Sequence, residues 1–139
     1  MKTLGAALFS MFFAQFLKVF SKRPFNFSRI ASSGGMPSSH SSFVTCLATV
    51  IGVKHGFNSD LFAVVVVFAL IIMYDATGVR RAVGEQAKII NRLIEDLTTG
   101  EKKEMIYKEL KELVGHTPVE VLVGAVLGIL LGLIFFYLG

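Results

Sequence analysis

Two short polar segments, in a chain that is otherwise apolar, each place a histidine beside residues that begin helices. The first covers 34–41 (GGMPSSHS) and contains His40, and the second covers 115–121 (GHTPVEV) and contains His116. The N-terminus of a helix presents backbone N–H groups that bind phosphate and other anions. Of two imidazoles at two such sites, one could attack phosphorus and the other could protonate the leaving oxygen. The two segments together indicate phosphoryl-transfer chemistry.

Residues of the first segment favour close contact with an anion. Gly35 permits a tight backbone approach, and Pro37 suits the start of a helix. Ser38 and Ser39 offer hydroxyl and N–H donors, and His40 follows as a candidate general acid. The alternative is an ordinary serine-capped helix with a polar histidine at the membrane interface.

The second segment contains a carboxylate with two competing explanations. Glu120 lies three residues after Thr117, which is the spacing of a capping box. It also lies four residues after His116, from where it could orient the imidazole and increase its nucleophilicity. One carboxylate cannot fill both roles equally well, and the sequence leaves both open.

Composition predicts a single membrane domain over 1–139. The 139 residues are 53% hydrophobic with a mean hydropathy of +0.65, which is too apolar for an ordinary soluble domain. The lone Cys46 excludes an intrachain disulfide. The net charge of +4 comes without an aromatic–basic motif, so we expect no nucleic acid and instead an anionic membrane surface or a phosphorylated substrate.

Apolar runs predict an all-α integral membrane bundle of about four transmembrane helices. The first and last runs reach the length of about 20 residues that a bilayer requires, and the middle two are shorter. An amphipathic helical hairpin over 80–116 separates spans three and four, with a helical stripe in 80–97 and a second piece over 102–113. The expected spans are 4–20, 42–53, 61–79 and 119–138.

Four spans place both histidine segments on one side of the membrane. All but Lys2 and Lys54 of the fourteen Lys and Arg residues lie on that side, so the positive-inside rule assigns it to the cytoplasm of a cell inner membrane. Gly124, Gly128 and Gly132 form a ridge of small residues in the last span, which allows a second helix to approach closely. Its partner is either a helix of the same chain or a second copy in a homodimer.

The segments Pro37-Ser38-Ser39-His40 and His116-x-x-x-Glu120 resemble two signatures of the type 2 phosphatidic acid phosphatase and vanadium haloperoxidase superfamily, P-S-G-H and S-R-x5-H-x3-D. With YDATGVRR at 74–81 between them, the chain is most similar to the short, divergent integral-membrane branch. The resemblance implies that His116 is the nucleophile and forms a phosphohistidine. It further implies that Glu120 orients His116, that His40 protonates the leaving alkoxide and that Ser38 holds a phosphate oxygen, without metal or other cofactor.

The chain departs from the family pattern at three places. Ser39 replaces the glycine of P-S-G-H, and Leu110 stands where the family has an arginine before the second histidine. Neither Lys18 nor Lys22 completes the first signature, K-x6-R-P.

Bound phosphate still requires cations. We favour Lys18, because a lysine in an apolar helix is costly without a role, followed by Arg80 and Arg81. For each cation, contact with lipid headgroups is the alternative. Asp75 at the end of an apolar span is expected to pair with Arg80 or Arg81, and aspartyl-phosphate chemistry is a minor alternative. The other candidate cations are Lys22, Arg23 and Lys111.

The leading hypothesis is hydrolysis of a lipid phosphate or prenyl pyrophosphate that enters from the cytoplasmic leaflet. A second hypothesis, favoured by the departures, is a non-catalytic component that binds or transports lipid phosphates on the same scaffold. Haloperoxidase chemistry with bound vanadate is a third hypothesis, which the membrane character of the chain and its departures from the motifs disfavour.

Overall fold

The computed structural model describes residues 3–20, 35–97 and 115–138, and at 80, 81 and 95–97 it describes the backbone alone. All regular elements within these ranges are helical, which confirms the predicted all-α class. The elements in chain order are α1 (Thr3–Leu17) with a 3-10 turn (Lys18–Phe20), α2 (Ser39–His55), α3 (Asp60–Thr77), α4 (Val79–Leu97) and α5 (Pro118–Leu138).

Helix α2 lies at the centre of the bundle, and α1, α3 and α5 pack around it. It runs antiparallel to α1, since Ser10 contacts Ser42 while Ala6 packs on Cys46 and Val50. It runs parallel to α5 and returns through a tight turn into α3. The starts of α2 and α5 therefore lie beside the ends of α1 and α3, at what we call the histidine end. Both histidine segments lie at this one end, as the four-span topology predicts.

Hydroxyl groups join α2 to its neighbours. The Oγ atoms of Ser10 and Ser42 are 2.7 Å apart, across the α1–α2 contact. Thr45 Oγ1 lies within hydrogen-bonding distance of the carbonyl oxygens of Ser41 (2.7 Å) and Ala125 (3.0 Å), the second of which belongs to α5. Because Ser and Thr can bond the carbonyls of their own helix, these polar side chains are satisfied inside an apolar bundle.

The glycine ridge of α5 lies on α2 of the same chain. A Cβ atom at Gly128 would collide with the Ser42 carbonyl and the Thr45 hydroxyl, so only glycine permits this approach. The sequence left two partners open for the ridge, and the structure places α2 there. Homodimerisation stays a prediction, and it would require another surface. In order, Gly124, Gly128 and Gly132 contact Ser38, Thr45 and Thr49.

Three helical segments of the described chain are long and apolar enough to cross a membrane: Thr3–Phe20, Asp60–Ile94 and Pro118–Leu138. A helical membrane bundle is thereby confirmed, but the count is one lower than the predicted four. The difference is α2, whose 17 residues extend about 25 Å against a hydrocarbon core of about 30 Å. Rich in serine and threonine, α2 is largely but not wholly covered by the helices around it.

The predicted amphipathic helix over 80–97 corresponds to α4, which begins directly after Gly78 at the end of α3. Val83, Ile90 and Leu93 are exposed on it, whereas Ala87 is buried. An exposed Lys88–Glu85 ion pair of 3.4 Å adds little to stability. The predicted second helix over 102–113 lies outside the described residues.

Candidate active site

The fold brings together two histidines that are 76 positions apart in the sequence. The ring centroids of His40 and His116 are 6.3 Å apart, with the rings nearly perpendicular. His40 lies in the first turn of α2 and is exposed, while His116 precedes α5 and is only 2% exposed. The two imidazoles therefore lie side by side at the starts of two neighbouring helices.

His116 is held by the end of α3. Its backbone N–H donates to the carbonyl of Ala76 over 3.0 Å. The last carbonyls of a helix have no partner within the helix, so this bond satisfies one of them. The start of α5 is thereby fixed against the end of α3, with the His116 imidazole buried between these segments and α2.

The start of α2 is held by α5 and by its own serines. The Ser38 N–H donates to the Glu120 carbonyl over 3.1 Å. As the N-cap of α2, Ser38 Oγ accepts from the Ser41 N–H (3.4 Å) and from the Ser41 hydroxyl (3.0 Å). Since a hydroxyl carries one donor and two acceptor positions, these two bonds leave the Ser38 O–H proton unused, and its role toward phosphate stays a prediction. Gly35 has a φ of 98°, which glycine adopts without strain, so the loop can turn toward Ser38.

Glu120 forms the capping box that its spacing predicts. Its Oε2 accepts from the Thr117 N–H over 3.0 Å, and Thr117 Oγ1 accepts from the Glu120 N–H over 3.3 Å. The Glu120 carboxylate therefore has a structural role, in the cap of α5. The orienting role toward His116 stays a prediction. It would require the Glu120 carboxylate to bond both the Thr117 N–H and the His116 imidazole.

Lys18 supplies a cation at the histidine end. It lies in the turn after α1, is 2% exposed and interacts electrostatically with Glu120. A lysine buried in an apolar bundle is costly unless an anion compensates for its charge. Its position links the end of α1 to the start of α5, where the other candidate groups lie.

Comparisons with known proteins identify the family of this chain. Residues 1–131 match the model of a family described as Divergent PAP2 family. The chain belongs to that family. It is also 45% identical over 149 residues to "Uncharacterized membrane protein YuiD" from Bacillus subtilis (strain 168), a match that covers 96% of this chain and 93% of that protein. No solved structure matches the chain.

Membership confirms the resemblance predicted from the motifs, and the relative supports an integral membrane protein. In this Divergent PAP2 family member, the two motif histidines meet although Ser39 replaces the superfamily glycine. Ser39 is buried in the first turn of α2, where the backbone remains helical. The serine is therefore compatible with the helix start beside His40.

The remaining predicted residues are placed less completely. Asp75 lies half-buried in the last turn of α3, next to the Ala76 carbonyl that holds His116. Arg80 and Arg81 lie in the first turn of α4, and only their backbone is described. Among residues 3–20, 35–97 and 115–138, no group of three or more His, Cys, Asp or Glu side chains is arranged to hold a metal ion. Outside the described residues lie Lys22, Arg23 and Lys111.

Two contributors were missed by sequence reasoning. The Ala76 carbonyl fixes His116, and a backbone acceptor has no side-chain signal that a motif could reveal. Ser41 bonds the N-cap hydroxyl of Ser38 from the next turn. Its position three residues after the cap was a usable signal, because the N-cap side chain bonds groups two or three residues ahead.

Proposed function

We propose that this chain is a membrane phosphatase that hydrolyses a lipid phosphate or pyrophosphate ester through a phosphohistidine. The observation that carries the proposal is the pair His40 and His116, whose ring centroids are 6.3 Å apart at two neighbouring helix starts. Membership of the Divergent PAP2 family supports a phosphatase-related role.

The reaction has two steps. In the first, an imidazole nitrogen of His116 attacks phosphorus, and the bond from phosphorus to the lipid oxygen breaks. His40 gives its proton to that oxygen, which leaves as the lipid alcohol or, from a pyrophosphate, as the lipid monophosphate. In the second step water attacks the phosphohistidine, His40 accepts a proton from this water, and inorganic phosphate leaves His116.

Burial divides these roles between the two side chains. His116 is nearly inaccessible, so its phosphorylated form would be protected from indiscriminate hydrolysis. His40 is exposed and can reach a leaving group that departs into the leaflet. We therefore assign attack to His116 and proton transfer to His40.

Positive potential at the site would stabilise the transferring group. The start of α2 contributes N–H groups and the positive end of its dipole, near Ser38 and Ser39. Lys18 contributes a buried positive charge at the same end of the bundle. Preorganised donors and cations of this kind stabilise the charge on the equatorial oxygens of a transferring phosphoryl group.

The surroundings of the site support a lipid substrate. Large apolar side chains are exposed along α1, α3 and α5, as expected for helices that face hydrocarbon. A substrate would thus reach His40 from within the bilayer. Because all but two of the Lys and Arg residues lie toward the histidine end in the expected topology, we assign this end to the cytoplasmic leaflet.

Phosphate release by the purified protein in detergent tests this proposal. The substrates are a panel of lipid phosphates and pyrophosphates, with and without a metal chelator. His116→Ala and His40→Ala should abolish release, whereas His55→Ala should retain it, because His55 ends α2 at the opposite end of the bundle. Retained release in His116→Ala would refute the nucleophile.

The competing function is non-catalytic binding of a lipid phosphate. It is favoured by the capping box, which engages the Glu120 carboxylate that the family mechanism would place on His116. In that case folded wild-type protein binds the panel lipids and releases no phosphate. Lys18→Met would then weaken binding more than His116→Ala.

A further inference from the structure

One stripe of α2 is only partly covered by the other helices of the described chain. Phe43, Leu47 and Ile51 recur every four residues and are half-buried, while most other residues of α2 are buried. The stripe begins one turn after His40, the exposed histidine of the candidate site. We call these three residues the α2 furrow.

The walls of the furrow are α1 and α3. At about 100° per residue, the stripe lies between the α1 side of α2, marked by Cys46 and Val50, and the α3 side, marked by Gly52. Gly52 is overlaid by Phe62 of α3, and Cys46 and Val50 contact Ala6 of α1. Among the described residues, α1 and α3 make no extended contact with each other. The half-buried stripe therefore faces the space between α1 and α3.

The furrow differs from the other apolar surfaces of the bundle. Outward-facing side chains such as Phe12 and Val64 are both 65% exposed, on convex helix surfaces that any bilayer lipid can touch. A chain in the furrow would instead touch three helices at once. Dispersion contacts are individually weak and add up, so this concave surface would hold one hydrocarbon chain in preference to the convex ones.

We propose that the α2 furrow binds one hydrocarbon chain of the lipid whose phosphate lies between His40 and His116. This inference rests on the proposed function, because it takes the histidine pair as the phosphate site. From residue 40 to residue 51 the helix rises about 17 Å, close to the hydrocarbon thickness of one leaflet, which is about 15 Å. The substrate is then an amphiphile with a terminal phosphate and at least one long chain that lies along α2.

The absence of tryptophan from the chain allows a direct binding test. Phe43→Trp introduces a single fluorophore into the furrow, and Val67→Trp introduces one on the outer surface of α3, where Val67 is 57% exposed. The probe is a long-chain alkyl phosphonate with bromine on its chain, whose C–P bond is not hydrolysed. Its control is the brominated alcohol of the same length.

The phosphonate should quench Phe43→Trp saturably, at a concentration about tenfold lower than Val67→Trp, and the alcohol should quench both variants alike. A tenfold ratio corresponds to about 1.4 kcal/mol of preferential binding. Equal quenching of both variants by the phosphonate would overturn the furrow.

A kinetic test separates the furrow from the phosphatase proposal. Leu47→Trp fills the furrow and should increase KM for a long-chain lipid phosphate about tenfold or more, without affecting a short, water-soluble phosphate ester. Val67→Trp should change neither. An equal loss of activity on both substrates would overturn the proposed binding of a hydrocarbon chain in the furrow, and the phosphatase proposal would stand. If the wild type hydrolyses neither substrate, the phosphatase proposal fails, and the quenching experiment still decides the furrow.

Discussion

The starts of α2 and α5 are similar in sequence and different in structure. Each has a hydroxyl N-cap and a nearby proline and histidine, yet α2 has a neutral serine cap with an exposed His40. The start of α5 has an acidic capping box, a buried His116 and the buried Lys18 close to its carboxylate. The comparison teaches that two similar local motifs can present imidazoles with opposite accessibility, as the two different roles that we propose for them require.

Replacing each histidine by alanine in turn should reveal the largest difference in activity between the starts of α2 and α5. His116→Ala should lower turnover at least about 10³-fold on every substrate, because the proposed nucleophile is removed. His40→Ala should lower it about 10²–10⁴-fold on alkyl phosphates but much less on an aryl phosphate, whose leaving group needs no proton. Rapid-quench labelling with a ³²P-aryl phosphate should trap a phosphoprotein in His40→Ala and none in His116→Ala. Labelling of His116→Ala would assign the nucleophile elsewhere.

Removal of the buried charge of Lys18 should have the next largest effect on activity. Lys18→Met preserves the length of the side chain and removes its charge, so we expect a loss of about 10²-fold in kcat/KM. The measurement is phosphate release across a lipid phosphate titration. Lys54→Met, at the opposite end of α2, is the matched control and should be neutral. An unchanged kcat/KM in Lys18→Met would mean that its charge serves only Glu120.

Close contact between the two helix starts can be disturbed without touching a histidine. A Cβ atom at Gly124 would collide with the backbone of Ser38, so Gly124→Ala should push the starts of α5 and α2 apart. Overpacking should destabilise the protein by about 1–3 kcal/mol, and a displacement near 1 Å should lower turnover about 10²-fold.

Gly132→Ala is the control for this displacement. Gly132 belongs to the same ridge and meets Thr49, about two turns beyond Gly124 along α5. Thermal unfolding in detergent should show a similar loss of stability, while turnover should fall far less than in Gly124→Ala. Equal losses of turnover would show that the ridge contributes to stability alone.

Local features of this chain were predictable, and the contacts between them were less so. Helix caps and apolar periodicity depend on residues that are close together in the sequence. The helix starts near Ser38 and Thr117 and the amphipathic α4 could therefore be predicted. Chain direction then placed both histidines at one end. The central position of α2 was not predicted, because its Ser and Thr residues reduce its hydropathy and their carbonyl partners depend on the other helices.

The site shows the same limit. The partner of the glycine ridge could not be chosen from sequence, since small residues allow a close approach by any helix. The Ala76 carbonyl that holds His116 has no side-chain signature at all. The spacing of Glu120 allowed contact with either Thr117 or His116. The structure shows the capping bonds with Thr117, which form within one turn of α5.

Glu120→Gln should separate the capping role of Glu120 from its role toward His116. Of the substitutions considered, it should have the smallest effect on activity. Glutamine can replace glutamate in a capping box, so the stability of the helix start should change by less than about 1 kcal/mol. It cannot neutralise a protonated His116 or the charge of Lys18, so we expect kcat to fall about tenfold with KM little changed. Thr117→Ala is the converse variant: it removes the hydroxyl of the cap, should destabilise the protein by about 1 kcal/mol and should leave kcat nearly unchanged. If Glu120→Gln retains full kcat while Thr117→Ala lowers it, the start of α5 serves His116 through its cap geometry and not through charge.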